Sequence, residues 1–160
     1  MFIRCENKTG LMYKVFVLAV AVISLVGFLG HDVSANALSV VNTIPVGVGP
    51  AGVTVNPHTN TVYVANEGAG TVGVINASTN TVTATIPVGI FPVGIAVNPN
   101  NGLVFVANEN NNTVSVINGH TNKVVGKITV GTGPSDVAIN PMTNTIYVDN
   151  AGSNTVSVIK

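Results

Sequence analysis

The chain copies itself every 42 residues, and no other feature narrows its possible folds as far. Val46-Gly47-Val48-Gly49-Pro50 returns as Val88-Gly89-Ile90-Phe91-Pro92 and as Val130-Gly131-Thr132-Gly133-Pro134. Asn56-Pro57 returns as Asn98-Pro99 and Asn140-Pro141. Tyr63-Val64-Ala65-Asn66 returns as Phe105-Val106-Ala107-Asn108 and Tyr147-Val148-Asp149-Asn150. Thr71-Val72-Gly73-Val74-Ile75 returns as Thr113-Val114-Ser115-Val116-Ile117 and Thr155-Val156-Ser157-Val158-Ile159. No insertion or deletion interrupts the spacing, so each copy folds as the same unit.

Within the middle copy four short runs carry strand chemistry: Gly94–Asn98, Leu103–Ala107, Thr113–Ile117 and Lys123–Val130. They are rich in Val, Ile and Thr, or bounded by Asn, Gly and Pro, or both. Asn100-Asn101-Gly102 predicts a tight hairpin, because Asn-Gly accepts positive φ at both turn centres. No window after the first 37 residues shows a 3.6-residue apolar period. Four antiparallel strands in about 42 residues is the size of one propeller blade. The expected fold is all-β: three four-stranded antiparallel blades of a β-propeller, preceded by an N-terminal signal helix. The repeats run Leu38–Thr79, Asn80–Thr121 and Asn122–Lys160. In the first strand of each, Val53/Val55, Ile95/Val97 and Val137/Ile139 share one face. The small residues Thr54, Ala96 and Ala138 take the other, where blades approach near the axis.

The Tyr-Val-x-Asn, Asn-Thr-Val-Ser-Val-Ile and Ile-Pro-Val-Gly-x-x-Pro runs resemble the YVTN family of β-propeller repeats, over Leu38–Lys160. That resemblance implies a secreted or surface-layer protein. The third motif position is Ala65, Ala107 and Asp149 instead of Thr, and Asn76 and Asn118 stand where many members carry Asp.

Three blades do not close a ring, since a propeller typically has about four to eight. Leu38–Ile44 matches the fourth strand of a period and Thr155–Ile159 the third. Two arrangements follow. One is an open arc, a partial member of a larger propeller. The other is a head-to-tail homodimer, in which each terminal strand completes the partner's last blade.

Residues 1–37 read as a secretory signal. Arg4, Lys8 and Lys14 precede Val15–Gly30, which holds no charge, and Ala35-Asn36-Ala37 supplies small residues for cleavage after Ala37. Its 16 residues fall short of the ~20 that span a bilayer, which favours a cleaved signal over the alternative of an uncleaved anchor helix; no membrane association beyond this segment is expected. Met12 is an alternative start. The expected location is extracellular or at the cell surface.

Charge removes several function classes. Six Lys+Arg balance six Asp+Glu, at 8% charged residues, so the phosphate-neutralising surplus of a nucleic-acid binder is missing. One Cys excludes a disulfide framework or a multi-thiolate metal site. Gly47-Val48-Gly49-Pro50-Ala51-Gly52 matches G-x-G-x-x-G, but a strand follows where a dinucleotide site needs a helix. His58 and His120 fall at different repeat positions in Asn- and Thr-rich turns. No Ser-His-acid set, H-E-x-x-H or C-x-x-C occurs. No catalytic residue, metal ligand or cofactor site is therefore assigned.

Polar residues crowd the loop between second and third strands. Glu67, Glu109, Asn108, Asn110 and Asp149 belong there, and Asp136 is the one ionisable residue among the axis-side candidates Gly52, Thr54, Gly94, Ala96, Asp136 and Ala138. These loops share an end with the Gly-Pro turns and are the candidate ligand-facing surface. Asn76-Ala77-Ser78 and Asn111-Asn112-Thr113 are glycosylation acceptor patterns. The expected function is a secreted or cell-surface binding or structural module, with envelope proteins or glycans as partners. A fragment of a propeller lactonase or lyase, and a truncated product without activity, are the alternatives.

Overall fold

The structure is a computed structural model that describes residues 38–160. The expected signal segment lies outside the described residues. Among the described residues, eleven strands form three antiparallel sheets in chain order. The first holds β1 (Pro50–Asn56), β2 (Thr61–Asn66), β3 (Thr71–Asn76) and β4 (Thr81–Pro87). The second holds β5 (Pro92–Val97), β6 (Leu103–Asn108), β7 (Thr113–Asn118) and β8 (Lys123–Thr129). The third has three strands: β9 (Pro134–Asn140), β10 (Thr145–Asn150) and β11 (Thr155–Ile159). Register repeats with sequence, as Tyr63 pairs with Thr54, Phe105 with Ala96 and Tyr147 with Ala138. The fold is thus the expected all-β stack of blades.

First strands of successive sheets lie closest together, whereas the outer strands β4 and β8 barely touch. The sheets fan out as wedges from an inner edge. Valine and isoleucine faces fill the space between them. Tyr63, Val72 and Val74 of the first blade meet Ile95, Val104 and Ile117 of the second. Phe105, Val114 and Val116 of the second meet Val137, Ile146 and Val148 of the third. Each fully buried aliphatic side chain contributes about 1.5–3 kcal/mol. Burial reports position in the stack. β7, covered on both faces, is buried from Thr113 to Ile117, while β11 with the same sequence pattern exposes Val156 and Val158.

Two joints hold the inner edges, and both depend on missing side chains. A Cβ on Gly52 would lie 2.3 Å from the Val93 carbonyl oxygen, and one on Gly94 2.4 Å from the Asp136 Cα. Gly52 and Gly94 therefore face the neighbouring blade, not an open channel. At the opposite end His58 Nδ1 donates to the Pro99 carbonyl at 2.9 Å, and Asn100 Nδ2 donates to the Pro141 carbonyl at 2.9 Å.

Two local expectations change. Leu38–Ile44 is not a strand; Leu38, Val40 and Val41 are exposed. Strand-like composition without a pairing edge leaves backbone groups to water. The turn at Asn98–Gly102 is not a two-residue hairpin. Only Gly102 has positive φ, and its N–H donates to the Asn98 carbonyl across a four-residue loop. The same loop recurs with Asn60 and Asn144 in the left-handed position, where Asn is better tolerated than most residues.

Tyr63 is buried against the second blade, and burial pushes its phenol above the ordinary tyrosine range. A raised folded pKa on this group stabilises the fold fully below the unfolded value of about 10, and that contribution is lost as pH rises above it. Tyr63→Phe removes the ionisation. Urea melts at pH 9 and pH 11 should show a smaller alkaline loss for the variant than for the native chain. Equal losses would dismiss the burial effect.

Candidate functional site

Each turn between second and third strands begins with a buried asparagine. Asn108 is completely buried. Its Oδ1 accepts the Gly89 N–H at 3.0 Å. Its Nδ2 donates to the Ser115 hydroxyl at 3.0 Å and to the Thr113 carbonyl and hydroxyl at 3.3 Å. One side chain thus fastens the loop leading into β5 to the β6–β7 hairpin. Asn150 repeats the donor half toward Thr155 and Ser157 at 3.0–3.2 Å, and Asn66 donates to the Thr71 hydroxyl at 3.2 Å. Gly89 admits this arrangement because a Cβ there would lie 2.4 Å from Asn108 Cγ. Asn108 therefore turns inward and does not face the ligand-accessible surface.

Beyond these asparagines the chain makes a 3-10 turn. Glu67–Ala69 and Glu109–Asn111 are the two helical turns, closed by Gly70 and Asn112 in the left-handed region. The Glu67 N–H donates to the Gly49 carbonyl at 2.7 Å, and the Glu109 N–H to the Phe91 carbonyl at 3.0 Å. Ala151 makes the equivalent bond to Gly133 at 2.9 Å. The turn and the inbound loop are thus one rigid unit in all three blades. Glu67 and Glu109 are half-buried and Asn110 is exposed at this end. Phe91 holds φ 63° where Gly49 and Gly133 hold 65° and 63°, a costly conformation for a bulky residue.

Asp136 and Asp149 do not join that surface. They are cross-strand partners on β9 and β10, exposed on the outer face of the third blade. The Asp149 carboxylate accepts the Ser135 hydroxyl at 2.8 Å and the Asp136 N–H. With Ala138, Tyr147 and Val156 they line a shallow depression. His58 and His120 lie with the first-to-second and third-to-fourth strand turns, so the histidines and the glutamates occupy different ends. Among the described residues no three His, Cys, Asp or Glu side chains come close enough to hold a metal ion. The candidate surface, Glu67, Glu109 and Asn110, can hydrogen-bond a polar ligand.

Solved structures match this geometry over most of the chain. Hydrazine synthase of Kuenenia stuttgartiensis aligns with TM-score 0.68 and 27% identity, over 77% of this chain and 36% of that one. A functionally unknown protein of Desulfotomaculum acetoxidans aligns with TM-score 0.62 and 18% identity, over 75% and 44%. The WD40 β-propeller domain of Doa1 aligns with TM-score 0.55 and 18% identity, over 63% and 33%. The chain spans less than half the length of each of these structures. No curated protein matches the chain. The family model described as "Lactonase, 7-bladed beta-propeller" matches residues 20–130. With blade-sized sheets, wedge packing and this match, the chain belongs to the seven-bladed β-propeller lactonase family.

Proposed function

We propose that the chain is a secreted or cell-surface binding or structural module, of the YVTN repeat type within its family, that contacts envelope proteins or glycans. One observation carries the reading. A glutamate-led turn, locked to its inbound loop, is presented at one end of two successive blades, and the third blade keeps the same backbone bond with Ala151 in the glutamate's place. Repetition on a rigid scaffold suits a ligand that is itself repetitive, as envelope polymers are, because several weak contacts then add. Residues 1–37 deliver the chain across the membrane and are cut after Ala37.

Binding of the full chain to a glycan array and to purified envelope polymer tests this. Glu67→Gln with Asn110→Ala should lower retention at least about fivefold, a loss of about 1 kcal/mol. His58→Ala, at the opposite end, should leave retention unchanged. Equal losses from both ends, or no retention of the native chain, defeat the reading. Secretion is tested by N-terminal sequencing of the exported chain, expected to begin at Leu38, and by protease treatment of intact cells.

The family match favours a second reading, lactone hydrolysis. Turnover of simple γ- and δ-lactones, with and without added divalent ions, measures it. A rate above the uncatalysed one that is lost on mutation of Glu67 or Glu109 replaces the binding reading with catalysis.

A further inference from the structure

The open face of the third blade differs from the two buried joints at the positions that make those joints. Counting by repeats, Gly52 and Gly94 become Asp136, Ala65 and Ala107 become Asp149, and His58 and Asn100 become Met142. Each change removes a condition of stacking. The glycines are needed because a Cβ would strike the next blade at 2.3–2.4 Å. Asp136 brings that Cβ and a carboxylate besides. In a second copy seated in the same register, the group opposite is the Ala51 carbonyl, the equivalent of Val93. Two oxygen-bearing dipoles would meet there with no donor between them. Ala65 and Ala107 are fully buried in their joints. Asp149 in that place would bury a second charge. Met142 cannot donate the hydrogen bond that His58 and Asn100 give to the next blade's proline carbonyl, and its side chain is 92% exposed.

The rest of the face remains apolar. Tyr147, Val156 and Val158 are exposed there, and Val53 and Val55 are exposed on the opposite face of the first blade. These two surfaces are what a head-to-tail pair of chains would bring together, and apolar area of this kind promotes association. We propose that Asp136, Met142 and Asp149 bar a second copy of the chain from the third blade, so that the apolar faces do not join chain to chain. The three positions act together: two acids on β9 and β10 obstruct the face, and one missing donor leaves the β9–β10 loop untied. Of the two arrangements expected from the sequence, this disfavours the head-to-tail homodimer.

Sedimentation velocity of the full chain over a concentration series tests it. The native chain should remain monomeric. Asp136→Gly, Met142→Asn and Asp149→Ala together rewrite the third blade in the pattern of the first two. That variant should associate at least about tenfold more tightly than the native chain. Adding Val53→Lys to it should return the monomer, which ties association to head-to-tail contact. Asp136→Gly alone, leaving the Ser135–Asp149 bond in place, serves if the triple variant loses its strand signal in circular dichroism; it should associate in the same direction, more weakly. A folded variant, triple or single, that sediments as the native chain does overturns the proposal. So does a native chain whose own assembly Val53→Lys abolishes.

Discussion

Gly94→Ala should destabilise the chain by about 3 kcal/mol or more, the range of severe overpacking. The added methyl would sit 2.4 Å from the Asp136 Cα and 2.7 Å from the Ser135 carbonyl oxygen. Both obstacles are backbone, so no rotamer change relieves them. Blade two must move away from blade three, and the Phe105–Val137–Val148 core between them opens. Gly126→Ala is the contrast. A Cβ there meets nothing nearer than Val116 Cβ at 3.6 Å, and the equivalent residue one repeat earlier is Ala84. That substitution should stabilise by about 0.5–1 kcal/mol, because it restricts only the unfolded chain. Urea denaturation of the two variants beside the native chain decides. Equal effects at both sites would mean that the inner-edge joint does not exist.

Asn108→Ala should cost about 3–4 kcal/mol. It strands the part-buried Gly89 N–H and deprives the buried Thr113 and Ser115 of a donor. Asn118→Ala removes two turn bonds, to the N–H groups of His120 and Thr121. That loop is open to solvent, water replaces the lost partner, and about 1 kcal/mol is expected. Hydrogen exchange adds a local readout, since Gly89 and Glu109 amides should lose protection in the first variant alone. A loss at Asn108 no larger than at Asn118 would reduce the buried asparagine to an ordinary turn residue.

The repeat carried much of the fold in plain sight. Alternating β-branched residues bounded by Asn and Pro placed the strands to within a few residues, because burial between two sheets demands that pattern wherever it recurs. The hairpin at Asn100-Asn101-Gly102 was harder. Local sequence permits a two-residue turn, and the four-residue loop is chosen by the register Val97–Val104 behind it. Asn108 shows the same limit in the candidate site. As a polar residue beside a glutamate it looks solvent-facing, yet it ends a strand, where alternation turns it into the sheet. Its recurrence as Asn66, Asn108 and Asn150, each followed five and seven residues on by Thr and Gly or Ser, was the available signal.

Sequence alone determined the unit, its period and its strand order, since those follow from local chain stiffness and from which face of each strand is apolar. Only the tertiary structure decided which copies of a motif are equivalent in consequence. Gly94 and Asp136 occupy the same place in their blades, but one is pressed against a neighbour's backbone and the other faces an open surface. Contact distance between blades is a property of the assembled wedge. No single strand encodes it, because it emerges only when the side chains of two sheets compete for the same space.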